Sequence, residues 1–329
     1  MILAGDVGGT KCNLALFEPQ GDRLETVVVR RYPSSQFNQF EKIVAQFLVD
    51  ARADLGREPG NLEAAGFGVA GPVVENRVQA TNLPWIIDAA ALAKQLGTPH
   101  IVLLNDLEAC GYSLESLRPA ELATLNVGRP APRAAKVLIA AGTGLGEAIL
   151  YWDGARYFVA SSEGGHCDLA PRTEQEIELL RYLKKTQEFV SFEAILSGRG
   201  FLTIHTFLDP SVTHASFDQP GVDPAPEITQ HGLDGTCPVC VGTLDLWTSL
   251  YGAEAGNLAL KALGRNGVYI AGGIAVKILP KLKDGTFFRA FCQKSKLAAI
   301  LSEIPVHVVL NEKAPLLGAA TQAAKSVGE

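Results

Sequence analysis

The sequence predicts an α/β protein of two domains, each built on a mixed sheet, with a cleft between them. Three observations point there. Two glycine hairpins, 5-GDVGGTKCNLALF-17 and 142-GTGLGEAILYW-152, share one design: each follows an apolar strand, at 2–4 and 137–141, and leads into a second strand. Apolar runs of strand length alternate with segments of helical periodicity through the first third of the chain. The 329 residues, 47% of them hydrophobic, are enough for two cores of ordinary size.

Taken in order, strands are expected near 2–5, 11–18 and 24–31, then an amphipathic helix near 37–54 and a strand at 63–71. A helix near 88–96 and the buried strand 101-IVLLN-105 follow. Three turn-linked strands and then β/α crossovers give a mixed sheet with helices on both faces. The second hairpin restarts the pattern, which sets a boundary just after Asn105. The expected domains are a smaller one of 1–105 plus 312–329 and a larger one of 106–311. Pro220, Pro224 and Pro226 mark 218–240 as a surface excursion with at most a short helix. A long helix from about Thr243 to Leu263, the strand 268-VYIA-271, a helix start near Val276 and a strand at 305–310 come next. The last helix, 315–327, opens with Pro315 in its first turn and is expected to return to cover the first domain's sheet.

The balance of charge excludes some functions. At a net charge of −6, with no basic run or arm, the chain lacks an electrostatic footprint for nucleic acid and would be repelled by an acidic membrane surface. The N-terminus has neither the basic start nor the apolar middle of a signal peptide, and no apolar stretch reaches membrane length. Six scattered cysteines, at 12, 110, 167, 237, 240 and 292, do not form a dense disulfide framework and read as reduced thiols of a cytoplasmic protein. Cys237-Pro-Val-Cys240 is a single C-x-x-C pair with His231 as a candidate third ligand. Buried structural thiols are the expected reading there, and metal binding stays open. His166 beside Cys167 does not read as a metal site, because adjacent side chains rarely reach one ion.

Gly8, Gly9, Gly142, Gly144 and Gly146 allow positive φ and remove the Cβ atoms that would hold a phosphate away, so the two turns can form anion-binding concavities. Gly272 and Gly273, after an apolar strand, suit a flat base or ribose. Asp6 is read either as a cap of its turn or as a ligand of Mg²⁺ through water. Thr10 and Thr143 offer hydroxyls to phosphate oxygens, and Lys11 offers a charge that the next strand could carry toward solvent. Asp106, where a buried strand meets a helix, is read either as a helix N-cap or as a base that takes a hydroxyl proton. Asn105, Glu163, His166 and Glu193 together offer donors and acceptors for a neutral polyol.

GDVGGTK at 5–11, LLNDLEA at 103–109, AAGTGLGEA at 140–148, SEGGHCDLAP at 162–171, FEAILSGRG at 192–200, YIAGGI at 269–274 and PLLGAA at 315–320 together resemble the bacterial glucokinases. That family lies in the hexokinase and actin-like ATPase superfamily, and the resemblance spans residues 2 to about 325. It implies a two-domain actin-like (ribonuclease-H-like) fold with duplicated mixed sheets, a homodimer, and transfer of the ATP γ-phosphoryl group to the 6-hydroxyl of D-glucose with Mg²⁺. It also implies Asp106 as catalytic base and Asn105, Asp106, Glu163, His166 and Glu193 as the glucose site. The nucleotide side falls to Asp6, Gly8, Gly9, Thr10, Lys11, Gly142, Thr143, Gly144, Gly272 and Gly273. Closure of the two domains on the sugar would exclude water. Rival readings are a kinase for another hexose, a sugar-sensing repressor, and an ATPase without a sugar. The phosphate loop begins at residue 5 with nothing in front for a DNA-binding segment, and the last rival leaves the polyol set without a purpose.

Overall fold

The computed structural model describes residues 1–21, 23–80 and 83–328; the last residue of the expected span 312–329 therefore lies outside the described residues. The first part of the chain supplies β1 (Ile2–Val7), β2 (Lys11–Gln20), β3 (Arg23–Pro33), α1 (Phe40–Leu55) and β4 (Ala64–Val69). The short strands β5 (Val73–Val74), β6 (Arg77–Gln79) and β7 (Ile86–Asp88) follow, then α2 (Ala89–Leu96), β8 (Ile101–Asn105) and α3 (Asp106–Ser113). Next come β9 (Leu122–Asn126), β10 (Lys136–Ala141), β11 (Leu145–Trp152), β12 (Tyr157–Ser162), α4 (Glu174–Leu183), α5 (Gly198–Leu208), α6 (Ala225–Asp234) and α7 (Pro238–Ala262). The chain ends with β13 (Val268–Ala271), α8 (Gly273–Lys277), α9 (Leu279–Lys283), α10 (Thr286–Cys292), α11 (Ala298–Ser302), β14 (Val306–Val309) and α12 (Ala314–Ser326).

Two mixed sheets repeat one pattern. In the order β3-β2-β1-β4-β8, β1 is antiparallel to β2 and parallel to β4. In the order β12-β11-β10-β13-β14-β9, β10 is antiparallel to β11 and parallel to β13. The duplicated hairpins of the sequence thus become duplicated sheets, as the two-domain actin-like ATPase fold requires. A small sheet, β5-β6-β7, is added; its strands are too short to show a period in the sequence.

The chain divides into one compact unit of Met1–Pro119, Tyr157–Ser161 and Asn311–Glu329, and another of Ala120–Arg156 and Ser162–Leu310. In the first, side chains alternate across β1. Leu3 and Val7 enter a core with Phe40, Ile43, Val44 and Phe47 of α1, while Ile2 and Ala4 enter a second core with Leu316, Ala319, Ala320 and Ala323 of α12. The period of two on the strand meets helical spacing on both sides, so helices cover both faces of this sheet.

Helix α3 belongs to this unit, which therefore runs to Pro119 rather than stopping after Asn105. Missing Cβ atoms are the physical reason. A Cβ on Gly68 of β4 would lie 2.7 Å from the Cβ of Ala109, and one on Gly318 of α12 would lie 1.7 Å from the Ala109 carbonyl oxygen. A Cβ on Gly66 would lie 2.1 Å from the Ala319 carbonyl oxygen. Strand β4, α3 and α12 thus meet backbone to backbone, which is what the small residues of PLLGAA permit.

The second unit is organised round α7, which begins at Pro238, earlier than its apolar pattern suggested, because Cys237 precedes it and Cys240 is buried in its first turn. It is buried on most of its circumference, with Trp247 and Tyr251 fully enclosed and the Tyr251 hydroxyl donating to the Ile139 carbonyl at 3.3 Å. Such a helix is a core element rather than a surface one. The excursion 218–240, expected to hold at most a short helix, carries α6, a helix of 10 residues. The helix expected near Val276 starts at Gly273, with Gly272 at φ 89° ahead of it.

Candidate active site

In the first unit the predicted residues gather at the carboxyl ends of the parallel strands β1, β4 and β8, the edge where open α/β sheets present ligands. Asp6 pairs with Gly68, and Gly68 with Leu104, so Asp6 and the Asn105–Asp106 junction lie two strands, about 10 Å, apart. Asp6 accepts from Asn13 Nδ2 at 3.0 Å, and Arg31 donates to Asn13 Oδ1 at 3.0 Å. Burial raises the Asp6 carboxyl above its ordinary value, against the pull of Asn13, Lys11 and Arg31. Both Asp6 and Asp106 act on Cys110. Burial first, then these two carboxylates, push its thiol up to about 12, so Cys110 is an inert thiol beneath them.

The turn between β1 and β2 closes with Gly8 N–H donating to the Lys11 carbonyl at 3.0 Å. Ser34 braces it from below: its hydroxyl donates to the Gly8 carbonyl at 2.8 Å and its N–H to the Thr10 carbonyl at 3.0 Å. Nothing in the sequence singled out Ser34, a buried residue in an ordinary Pro-Ser-Ser turn. Thr10 and Lys11 are exposed, with Lys11 already on β2, as its place at the start of a strand suggested.

At the end of β8 the helix cap is Asn105, not Asp106. Asn105 Oδ1 accepts from Leu107 N–H at 2.9 Å, and Glu108 reaches back to the Asn105 N–H at 3.2 Å, a complete capping box. Asp106 is the first helical residue, with one oxygen accepting from Leu107 N–H at 2.9 Å. The N-cap reading of Asp106 is therefore wrong, because Asn105 has the extended backbone that the position requires. The helix N-terminus favours negative charge at Asp106.

In the second unit, two backbone hydrogen bonds and one side-chain bond bring the remaining residues together. Glu193 N–H donates to the Gly165 carbonyl at 2.8 Å and Phe192 N–H to the Cys167 carbonyl at 3.0 Å. These bonds tie the turn bearing Glu163 and His166 to the segment bearing Glu193. Glu193 Oε2 then accepts from Leu145 N–H at 3.0 Å, so this carboxylate stands on the glycine turn itself. A Cβ on Gly144 would lie 2.4 Å from that oxygen, which gives this glycine its purpose. His166 Nε2 and Glu163 Oε2 lie 3.9 Å apart, both exposed.

The Gly142–Gly144 turn closes with Gly142 N–H on the Gly144 carbonyl at 2.8 Å, and Gly198 at the start of α5 donates to the Gly142 carbonyl at 2.9 Å. Just past the neighbouring strand β13, a Cβ on Gly272 would lie 2.4 Å from the Ala141 carbonyl oxygen, which sets Gly272 and Gly273 directly beside this turn. Gly8, Gly9, Gly142, Gly144 and Gly146 were read as allowing positive φ and as leaving room for phosphate; none of the five adopts positive φ. Room for neighbours, not handedness, is what Gly144 supplies; among the nucleotide-side glycines only Gly272 has positive φ.

Glu147 of β11, within the GTGLGEA motif but given no role from sequence, is buried under the sugar-side turn. A Cβ on Gly164 would lie 2.0 Å from Glu147 Oε2, and the Ser162 hydroxyl donates to the Glu147 carbonyl at 3.3 Å. Glu254 of α7, with Asn257 and Lys261 bonded to it, faces Glu147. Burial first, then Glu254, push the Glu147 carboxyl up to about 8, with Lys261 pulling the other way. The unfolded chain ionises Glu147 near 4.5 while the fold retains the proton to about 8. Stability from this group is thus complete below about 4.5, falls as pH rises through that window and is gone above about 8. Glu147→Gln should flatten the fall, so that the variant melts above the parent near pH 8 and gains less near pH 5. Thermal melts across pH check this; parallel curves would contradict it.

Residues 3–326 match the sequence model of the family Glucokinase. The chain is 41% identical to the glucokinase of Nostoc punctiforme, over 99% of each protein. The crystal structure of a glucokinase from an Antarctic psychrotroph superposes with a TM-score of 0.84 at 27% identity, covering 98% of each chain. That of Balamuthia mandrillaris glucokinase in complex with glucose gives a TM-score of 0.80 at 21% identity, covering 98% of this chain and 93% of that one, and shows likeness of fold.

Proposed function

The chain belongs to the glucokinase family, and from that membership we propose how its own residues carry out the ATP-dependent phosphorylation of D-glucose to glucose 6-phosphate. The activity itself, phosphoryl transfer from ATP to glucose, follows from the family and the near full-length relatives. What the residues do is the proposal.

Asp106 takes the 6-hydroxyl proton as that oxygen attacks the γ-phosphorus of ATP and ADP departs, the role a strand-end carboxylate plays in this class of transfer. The observation that carries the assignment is the capping box on Asn105 and Glu108, because it relieves Asp106 of the structural task that otherwise explains an Asp there. Asn105, Glu163, His166 and Glu193 hold the remaining sugar hydroxyls. Glu193 is oriented by Leu145 N–H, so one residue links the sugar side to the glycine turn that takes phosphate. The turns at Gly8–Lys11 and Gly142–Gly144 cradle the phosphates, with Thr10 and Thr143 adding hydroxyls and Lys11 charge, and Gly272–Gly273 flank the base or ribose.

The donor chemistry at Asp6 fits Mg²⁺. A carboxylate raised by burial, with one side-chain donor on it, gains from a hard cation held through water, which would neutralise phosphate charge as it develops. We extend the proposal to a cytoplasmic homodimer without a nucleic-acid partner. The six free cysteines and the net charge of −6 support the compartment and the absence of nucleic acid. Among the described residues no helix is long and apolar enough to cross a membrane.

The sugar side is tested by Glu163→Gln and His166→Ala. Each should raise the glucose KM about 5- to 150-fold, the equivalent of about 1–3 kcal/mol for a hydrogen bond to a charged group, with the KM for ATP little changed. A coupled assay of ADP formation over a panel of hexoses measures both constants and compares glucose with other sugars. Unchanged glucose KM in both variants would remove these residues from the sugar site.

A further inference from the structure

Four side chains of the second unit, none with a role in sugar or nucleotide binding, converge on one point. His205 lies on α5, His214 in the connection from α5 to α6, Cys237 at the entrance to α7 and Cys240 in its first turn. One ligand atom from each lies within 4.8 Å of the other three, and Cys240 Sγ stands 3.1 Å from His214 Nε2. His205, Cys237 and Cys240 are buried. Both ring nitrogens of His205, which is fully enclosed, are without a hydrogen-bond partner, although a buried imidazole needs one.

We propose that His205, His214, Cys237 and Cys240 form a structural site for one zinc ion. Two thiolates and two imidazoles are the donor set that selects zinc in tetrahedral geometry, and four protein ligands close the coordination shell, which is the mark of a structural rather than a catalytic site. Zinc bond lengths of about 2.0 Å to nitrogen and 2.3 Å to sulfur place tetrahedral ligand atoms about 3.3–3.8 Å apart. From separations of up to 4.8 Å, no pair of ligand atoms needs to move by more than about 1.5 Å to reach this. Binding releases two thiol protons to solvent and leaves two thiolates against a divalent ion, so the buried centre is neutral.

A disulfide between Cys237 and Cys240 does not account for the cluster, since it would leave His205 without a partner. His231, the candidate third ligand from sequence, is displaced from that role. Its Nδ1 pairs with Thr236 Oγ1 at 2.7 Å and its ring stacks on His214 with centroids 4.6 Å apart. Glu227 and His231 each bring a ligand atom within 4.8 Å of His214, the position of outer groups that orient a metal-bound imidazole. The ion would pin α5, the connection after it and the start of α7 to one another.

Elemental analysis of the full-length protein, purified from zinc-supplemented medium without chelator or metal-affinity resin, should find one zinc per chain. Cobalt(II) exchanged into the same protein should show an intense thiolate-to-cobalt charge-transfer band, and a chelator should lower the melting temperature until zinc is returned. Cys237→Ser and His214→Ala should lose the zinc. If those variants fail to fold, the cobalt spectrum and the chelator melt of the parent decide alone. Parent protein that takes up neither ion, shows no thiolate band, or melts at an unchanged temperature in chelator overturns the site, as does a folded Cys237→Ser variant that retains zinc.

Discussion

Asp106→Asn is expected to lower kcat by at least ~10²-fold, the scale on which a general base acts, while the protein folds normally and still binds glucose. Stability should survive because the cap of α3 is supplied by Asn105 and Glu108, and the helix-dipole contribution lost with the carboxylate is about 0.3–1 kcal/mol. The amide keeps the size of the side chain and its acceptor for Leu107 N–H and loses the ability to take a proton. Circular dichroism and thermal melts establish the fold, and the coupled assay gives kcat. A folded variant with near-parental turnover would remove Asp106 from the chemistry. A variant that fails to fold would show that the carboxylate does the structural work here assigned to Asn105.

The second large effect is expected at Gly318→Ala, far from any reacting atom in role though not in consequence. The added methyl would sit 1.7 Å from the Ala109 carbonyl oxygen and 2.8 Å from the Ser113 backbone nitrogen. Both neighbours are backbone, so no side-chain rotation relieves the overlap and α12 must lift from α3. Overpacking in a well-filled core costs about 1–3 kcal/mol and more where backbone must move, so a loss of about 3 kcal/mol or greater is expected, read from urea unfolding. Helix α3 carries Asp106 in its first turn, so the residual folded enzyme should also turn over more slowly. Stability within about 0.5 kcal/mol of the parent would show that this contact is looser than its geometry states.

Much of this was legible in the sequence, and the reasons differ from place to place. The paired hairpins at 5–17 and 142–152 carry turn chemistry and period-two strands together, so both the duplication and the mixed sheets could be read directly. The capping box was also visible as Asn105-x-x-Glu108, yet Asp106 drew the assignment because Asp and Asn are equally good caps and only backbone geometry separates them. Glu147 could not be read at all, since a glutamate at one position of a strand looks like an exposed residue until a helix such as α7 closes over it. Of the proposed zinc ligands, Cys237 and Cys240 stood out by their spacing, whereas His205 and His214 lie far before them in the chain and nothing in the sequence brings them together. The nearest histidine in sequence, His231, was the natural candidate. Gly144 was read as making room for phosphate, and Gly66, Gly68 and Gly318 were not read at all; the close approach that each permits depends on neighbours that sequence does not place.

The claim at the centre is that Asp106 moves a proton rather than positions a sugar. Rapid-quench single-turnover kinetics on Asp106→Asn, with glucose, ATP and Mg²⁺ saturating and the glucose Kd measured in parallel by calorimetry, separates the two. The expected result is a phosphoryl-transfer step slowed by at least ~10²-fold with a glucose Kd within a few-fold of the parent. A transfer step close to the parental rate, with the loss residing instead in glucose affinity, would contradict the account.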